Sequence, residues 1–508
     1  MTDPDRDAPV PVPLRTLLPG APDTLVSGVG LDSRRIRPGD LYVALPGAAT
    51  HGARFAPAAI AAGAAAVLTD AEGDALLAAA LPGGPGVPVV VVADPRAVLA
   101  RVAAEWHGRP SERLAVYGIT GTTGKTSTAF LIAAGLAAAG LPAATIGTLG
   151  VMAGGVALDL PTSTVTTPEA PDLQAILARL LADGVRAVAM EVSSHALALH
   201  RADWVAFDVA AFTNLGHDHL DFHRDQESYY QAKARLFLTG RARHAVVNTA
   251  DPFGARLADE IRADGRAVLH TLGSEGADYR VLAATARADG GWDVRAATPG
   301  GEVDFRIGML GDFNVDNALT ALAMLDLSPL DLDAALAGLA TAAVPGRMQR
   351  VPLPEGAPRV VVDFAHTPEA VAAALAALPA GRRVVVLGCG GDRDHAKRGP
   401  MGEAAARGAD LVVVTDDNPR SEDPAAIRRA VLDGAARVAG ETGAAVLDGG
   451  PRREAITRAL AEAGPDGWVA ILGKGHEHGQ DIAGVVSPFD DVEVAARAWT
   501  DLREASDG

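Results

Sequence analysis

The sequence predicts an α/β protein of three domains, and three observations point there. Its 508 residues exceed what one hydrophobic core usually organises. From Leu114 onward, near-continuous apolar strands alternate with helical stretches, the pattern of mostly parallel sheets covered on both faces. The alternation breaks near Val344-Pro345-Gly346 and then restarts. The boundaries expected from this reading are 1–110, 111–344 and 345–508.

Taken in order, the first hundred residues hold short apolar runs at Leu41 to Leu45 and Val87 to Ala93. A helical pattern follows from Pro95 to His107, and Gly108-Arg109-Pro110-Ser111 ends it. Then come a strand at Leu114 to Thr120, a glycine turn, an alanine-rich helix at Lys125 to Ala139 and a strand at Ala143 to Thr148. Further strands fit Arg186 to Val192, Val205 to Thr213 and His244 to Asn248, while the polar stretch Gly265 to Gly301 reads as an antiparallel excursion. Past the second boundary, strands fit Arg359 to Phe364, Arg383 to Leu387, Leu411 to Thr415 and Trp468 to Leu472. Helices fit Pro368 to Ala377, Pro424 to Ala439 and Pro451 to Ala463. Ligands in such sheets bind beyond the carboxyl ends of the strands.

The composition, 48% hydrophobic and 21% charged, is that of an ordinary globular protein. A formal charge of -18 argues against wrapping a nucleic-acid backbone, which needs a basic face. The single cysteine, Cys389, excludes an intrachain disulfide and fits a reducing compartment. Met1 to Leu14 is acidic and proline-rich without a basic n-region, so no secretory signal is expected. No apolar run approaches membrane-spanning length. The expectation is a cytoplasmic monomer.

Only four of the 45 basic residues are lysines, Lys125, Lys233, Lys397 and Lys474, and each lies in a segment that looks chemical. Lysine offers a compact ammonium that can become a neutral nucleophilic amine, which arginine cannot. Lys125 sits in Gly121-Thr122-Thr123-Gly124-Lys125-Thr126-Ser127, after a strand and at the start of a helix. Glycines there let backbone N–H groups converge on phosphate oxygens, the helix N-terminus adds positive potential, and the Thr126 hydroxyl is a Mg2+ ligand type. The spacing departs from G-x-x-x-x-G-K-[ST], because Ile119 stands where the first glycine belongs and Gly118 is one place off. Two more strands end in Glu191-Val192-Ser193-Ser194-His195 and Asn214-Leu215-Gly216-His217-Asp218-His219-Leu220-Asp221, which offer oxygen and imidazole ligands beside that loop.

A loop of the form T-G-T-x-G-K-T-[ST] resembles that of the Mur ligase family, ATP-dependent amide-forming synthetases of peptidoglycan precursors. The resemblance implies an N-terminal UDP-binding α/β domain, a central P-loop ATPase domain with a mostly parallel sheet and a C-terminal Rossmann-like domain. It implies a catalytic set of Lys125, Glu191, His219 and Lys233. It further implies that Lys233, in Ser228 to Phe237, is carbamylated by carbon dioxide. Thr126 and Glu191 would hold one Mg2+, and His219 with the modified Lys233 would serve a second. ATP would be bound by Gly121 to Ser127, by Asn314 in Gly311-Asp312-Phe313-Asn314, by Arg347 in Pro345-Gly346-Arg347 and by Asp363 before Phe364-Ala365-His366. Arg347, at a domain boundary, would reach phosphate only on closure.

The other two lysines lie in loops that follow strands, Gly390 to Arg398 and Gly473-Lys474-Gly475-His476-Glu477, with Asp416 to Arg420 after a third. Cys389 beside them reads as a small core residue rather than a nucleophile. Asp417-Asn418-Pro419-Arg420 resembles the motif of family members that add diaminopimelate. That amino acid carries a second carboxylate where lysine ends in a bare ammonium, and a guanidinium can hold it with two hydrogen bonds. Arg393, Gly473 and Glu477 would complete the site, while Lys397 and Lys474 receive no role.

Leu31-Asp32-Ser33-Arg34 and Gly39 to Leu45 are similar to the family's uridine-nucleotide segments, with Leu31 and Ser33 as contacts and Ala48 to Thr50 as a loop meeting the nucleotide sugar. His51 replaces the usual aspartate. Thr166, Thr167, Ser193 and Arg201 match positions that hold the muramoyl peptide; Leu199, replacing a polar residue, does not. The implied reaction joins diaminopimelate to the D-glutamate side-chain carboxylate of UDP-N-acetylmuramoyl-L-alanyl-D-glutamate through an acyl phosphate. Two rivals stand beside it: a family member adding lysine, a dipeptide or glutamate to a different acceptor, and a regulatory or motor P-loop NTPase.

Overall fold

The computed structural model describes residues 10–47, 49–158, 160, 165–216, 218 and 222–507. It divides into two compact units, the described parts of Met1–Asp278 with Ala323–Leu330, and of Tyr279–Leu322 with Asp331–Gly508.

In the first unit, the strands Gly28–Gly30, Asp40–Val43, Ala66–Thr69 and Val89–Val91 form a four-stranded parallel sheet. A larger sheet of eight strands runs in the order Val156–Ala157, Gly150–Ala153, Ala143–Gly147, Ala187–Glu191, Ala115–Thr120, Phe207–Phe212, Ala242–Asn248, Val268–Leu272. Its first two strands are antiparallel and the remaining six parallel. The strand Ala115–Thr120, which feeds the phosphate loop, is central, so its carboxyl end has neighbours on both sides.

The second unit pairs a three-stranded antiparallel sheet, Arg280–Ala286, Trp292–Thr298 and Gly301–Ile307, with a six-stranded sheet. The latter runs Gln349–Val351, Arg359–Asp363, Trp468–Leu472, Arg383–Leu387, Leu411–Thr415, Ala445–Gly450, parallel except at its first pair. Successive side chains of a strand leave on opposite faces. Accordingly Val361, Val385, Leu387, Val412, Val414, Ala470 and Leu472 pack into one core, and Val360, Val362, Val384, Val386, Val413, Val469 and Ile471 into another. Two covered faces explain the unbroken apolar runs in these strands.

Helix starts follow local signals. Asp94, Asp251 and Asp423 each accept hydrogen bonds from backbone N–H groups of the first turn, ahead of Pro95, Pro252 and Pro424. The helix beginning at Pro424 runs past Gly440 to Thr442, beyond the expected end at Ala439, and stops only where Gly443 adopts φ 77°. The antiparallel excursion is also displaced: it begins at Arg280, whereas Val268–Leu272 pairs in parallel with Ala242–Asn248. The helix Pro252–Asp264 between them supplies the crossover that parallel pairing needs.

The helices Arg452–Ala463 and Asp491–Asp507 are tied together by a bidentate ion pair, Arg452 Nε and Nη2 to the Asp491 carboxylate at 2.7 and 2.6 Å, with both side chains fully buried. Arg452 Nη2 also donates to Leu472 O, anchoring the pair to a central strand. Removing one charge leaves the other buried and uncompensated. Asp491→Asn is therefore expected to destabilise the protein by about 3–5 kcal/mol, read as a lower urea midpoint.

Candidate functional site

The phosphate loop follows the strand Ala115–Thr120 and opens the helix Lys125–Ala138. Gly124 at the N-cap has φ 85°, and a Cβ on Gly121 would lie 1.9 Å from Thr213 Oγ1. The loop is thus wedged against the next strand end and tolerates no larger residue at Gly121. Asn214 Oδ1 accepts from Thr123 N and Oγ1 at 3.0 and 3.2 Å, and Thr122 Oγ1 accepts from Gly216 N at 2.8 Å. Tyr229, on the helix Gln226–Leu238, lies 3.1 Å from Thr122 Oγ1.

Two lysines meet at this loop. Lys125 Nζ donates to Gly121 O and Thr122 O, both at 2.9 Å, and Lys233 Nζ donates to Gly121 O at 2.8 Å. Lys233 is 1% exposed, with its Nζ 4.5 Å from the Tyr229 ring centroid. Burial first, and then the Lys125 charge, push its ammonium well below the usual lysine range, while Asp218 opposes them. The cation–π contact and the bond to Gly121 O favour the charged form, while burial beside a second cation shifts the balance toward the neutral amine.

Glu191 ends its strand 2% exposed. Its Oε1 accepts from Thr126 Oγ1 and Thr148 N at 2.9 Å each, and its Oε2 from Thr148 Oγ1 at 3.1 Å. Gly147 leaves room for that carboxylate, since a Cβ there would lie 2.1 Å from Oε1. A buried carboxylate sharing a hydrogen bond with a phosphate-loop hydroxyl is a hard-oxygen donor set that fits Mg2+. His219 and Ala48 lie outside the described residues.

Thr167 extends the network. Its Oγ1 donates to Glu191 O at 3.0 Å and accepts from Ser193 N at 3.1 Å, while Arg201 Nη1 donates to Thr167 O at 3.2 Å. Thr166 Oγ1 lies 3.3 Å from Thr148 Oγ1. Thr166, Thr167, Ser193 and Arg201 therefore converge on the strand end that holds Glu191. Arg201 also pairs with Glu169 at 2.9 Å. Leu31 and Ser33 follow the strand Gly28–Gly30 and share no hydrogen bond with this cluster among the described residues. His51 caps the turn Gly52–Phe55: its Nδ1 accepts from Ala53 N at 3.0 Å, and its Nε2 lies 3.0 Å from Asp70 Oδ1. The imidazole here performs the capping that a carboxylate also provides.

In the second unit, Asp363 Oδ2 accepts from Met348 N at 2.6 Å, and the Arg347 guanidinium carbon lies 5.0 Å from the Phe364 ring centroid. Burial pushes the Asp363 carboxyl up, against the Met348 N–H and the Arg347 charge. Asn314 is 1% exposed; its amide donates to Leu310 O and its carbonyl accepts from Asn317, with no bond to Arg347 or Asp363. Asn418 Nδ2 donates to Glu477 Oε2 at 2.8 Å, and Arg420 Nη1 donates to Gly391 O at 2.6 Å. A Cβ on Gly473 (φ 114°) would lie 2.5 Å from Asp417 Oδ2, so that loop too requires glycine. Burial raises the Asp417 carboxyl, against the charges of Arg452 and Lys474. Arg393 is exposed, and Lys397 Nζ donates to His366 O at 2.9 Å.

Sequence reasoning gave no individual role to Thr148, Asn214 or Tyr229. Thr148 and Asn214 follow strand ends beside the phosphate loop, the position in a parallel sheet that collects site residues. Tyr229 lies one helical turn before Lys233 and shares its face.

Family models match three successive stretches: "Mur ligase family, catalytic domain" at 25–107, "Mur ligase middle domain" at 119–325 and "Mur ligase, glutamate ligase domain" at 346–475. A UDP-N-acetylmuramoyl-L-alanyl-D-glutamate–2,6-diaminopimelate ligase of Streptomyces coelicolor is 46% identical over 481 residues, 93% of this chain and 92% of that protein. The one from Corynebacterium efficiens is 44% identical over 497 residues, 96% of this chain and 92% of its own length. A solved structure of a ligase with the same name superposes with a TM-score of 0.72 at 30% identity, covering 97% of this chain and 100% of the other.

Gly147→Ala tests the Glu191 site. The added methyl is expected to push the Glu191 side chain away from Thr126 and Thr148, lowering kcat by about a hundredfold and the urea midpoint with it, because the displaced carboxylate loses its buried donors.

Proposed function

The chain belongs to the Mur ligase family, and we propose that it joins diaminopimelate to the D-glutamate side-chain carboxylate of UDP-N-acetylmuramoyl-L-alanyl-D-glutamate at the expense of ATP. One observation carries this reading: Glu191 hydrogen-bonds the phosphate-loop residue Thr126 and, through Thr148 and Thr167, gathers Thr166, Ser193 and Arg201. Phosphate-binding and acceptor-binding groups in one hydrogen-bonded network support phosphoryl transfer to a bound carboxylate rather than to water.

A free carboxylate is a poor acceptor for an amine, so it first attacks the γ-phosphorus and becomes an acyl phosphate with ADP leaving. The amine of diaminopimelate attacks the acyl carbon, the tetrahedral intermediate expels phosphate, and the nitrogen loses its proton. Lys125 and the amides of Gly121 to Ser127 hold the phosphates and offset the charge that develops. Thr126 and Glu191 would hold Mg2+, which supplies further neutralisation of phosphate charge, and His219 with carbamylated Lys233 would serve a second ion. A neutral Lys233 amine can add carbon dioxide with loss of one proton, and its depressed ammonium supports that chemistry. Asp363, Arg347 and Asn314 are assigned to ATP; Arg420, Asn418, Asp417, Pro419, Arg393, Gly473 and Glu477 to diaminopimelate; Leu31 and Ser33 to the nucleotide sugar. The Arg420 fork meets the distal carboxylate, which lysine lacks.

Phosphate release, measured with each substrate omitted in turn, tests the reaction. Release is expected only with ATP, the nucleotide peptide and diaminopimelate together, with lysine a poor replacement; turnover indifferent to the amino acid would sink the reading. For the carbamate, Lys233→Ala is expected to lower kcat by about a thousandfold or more, with short-chain carboxylic acids restoring part of it. An alanine variant of full activity would remove the carbamate.

A further inference from the structure

Lys474 stands apart from the other lysines. It is 0% exposed, and its ammonium donates to three acceptors: Asn418 Oδ1 at 3.1 Å, Glu477 Oε2 at 3.0 Å and Gly479 O at 2.6 Å. A buried ammonium has only three N–H groups, so all of its hydrogen bonds are accounted for inside the protein. Arginine would bring a larger planar fork to a place where no side-chain surface is left open.

The three acceptors lie on segments that follow two different strands, and each is constrained further. Asn418 Oδ1 also accepts from Asp481 N at 3.0 Å, which points its Nδ2 at Glu477 Oε2, 2.8 Å away. Glu477 Oε2 thus takes two donors, while Oε1 takes no hydrogen bond among the described residues and the side chain is 37% exposed. Beyond Gly479, the same segment pairs with the Arg420 backbone, Arg420 N to Asp481 O at 3.0 Å and Ala483 N to Arg420 O at 2.7 Å. One ammonium therefore holds the loop that carries Arg420, the carboxylate of Glu477 and the strand Gly479–Ile482 behind Arg420.

We propose that Lys474 is a positioning residue for amino-acid selection, locking Asn418, Glu477 and Gly479 so that the Arg420 guanidinium and Glu477 Oε1 keep one spacing, matched to the carboxylate and ammonium of a diamino dicarboxylic acid. The proposal rests on the functional reading above. Without the lock, both groups remain but their separation varies, so the amino acid that relies on both loses most. Lysine, which has no distal carboxylate for Arg420, loses less.

The experiment compares wild type with Lys474→Met, which is unbranched, one atom shorter and uncharged, in steady-state assays of the full-length protein. The KM for diaminopimelate is expected to rise about tenfold or more, with the KM values for ATP and the nucleotide peptide within about twofold. The kcat/KM ratio of diaminopimelate to lysine is expected to fall. In a Glu477→Gln background, Lys474→Met should add less than about twofold to the KM for diaminopimelate, because the group that it positions is already altered. Should Lys474→Met fail to fold by circular dichroism, Lys474→Gln, which leaves fewer acceptors bare, must show the same split. An unchanged KM for diaminopimelate, equal rises for all three substrates, or full additivity with Glu477→Gln would overturn the proposal. Wild type that releases phosphate without selecting any amino acid would instead defeat the functional reading, and this inference with it.

Discussion

A buried charge at the carboxyl end of a parallel strand, which must be satisfied within the protein, is the constraint on which the rest of each unit's site depends. Glu191 meets it in the first unit through Thr126 and Thr148. Leaving that carboxylate without donors would cost several kcal/mol, so the strand end, the phosphate loop and the turn at Gly147 are bound to one geometry. The same logic holds Thr167 and Ser193 beside it, because Thr167 Oγ1 bridges Glu191 O and Ser193 N.

The second unit solves the problem with the opposite sign. Lys474 is a cation sealed among a carboxylate, an amide and a carbonyl, and Arg452 is a cation sealed against Asp491. The two play different parts: Arg452 ties helices to a central strand, whereas Lys474 ties together loops at strand ends, where ligands of parallel sheets bind. Buried ion pairs contribute little net stability compared with apolar packing, yet removing one partner is costly. Such pairs are better explained by the geometry that they enforce.

Much of the architecture was legible because its causes are local. The strand runs follow from both faces being covered, the helix starts from Asp-Pro and Thr-Pro pairs, and the phosphate loop from glycines between a strand and a helix. At two other places a contact distant in sequence decided. Val268–Leu272 joined the large sheet because Ala242–Asn248 presented an open edge for parallel pairing. His51 kept the turn that an aspartate would cap, because Asp70 holds the other side of its ring.

The four lysines divide the two kinds of information. By itself the sequence determined that lysine is scarce, that Lys125 follows the glycines of a strand-to-helix loop, and that Arg420 follows Asp417-Asn418-Pro419 after a strand. Those are matters of composition and short-range order. Tertiary structure alone decided that Lys233 reaches Gly121, 112 residues away, beside Lys125, and that Lys474 reaches Asn418, 56 residues away. A lone lysine on a helix or in a loop is ordinarily solvated, and only the packing around it removes the water. Once water is gone, the ammonium depends on acceptors that the protein supplies, and the groups that supply them fix the geometry around each lysine.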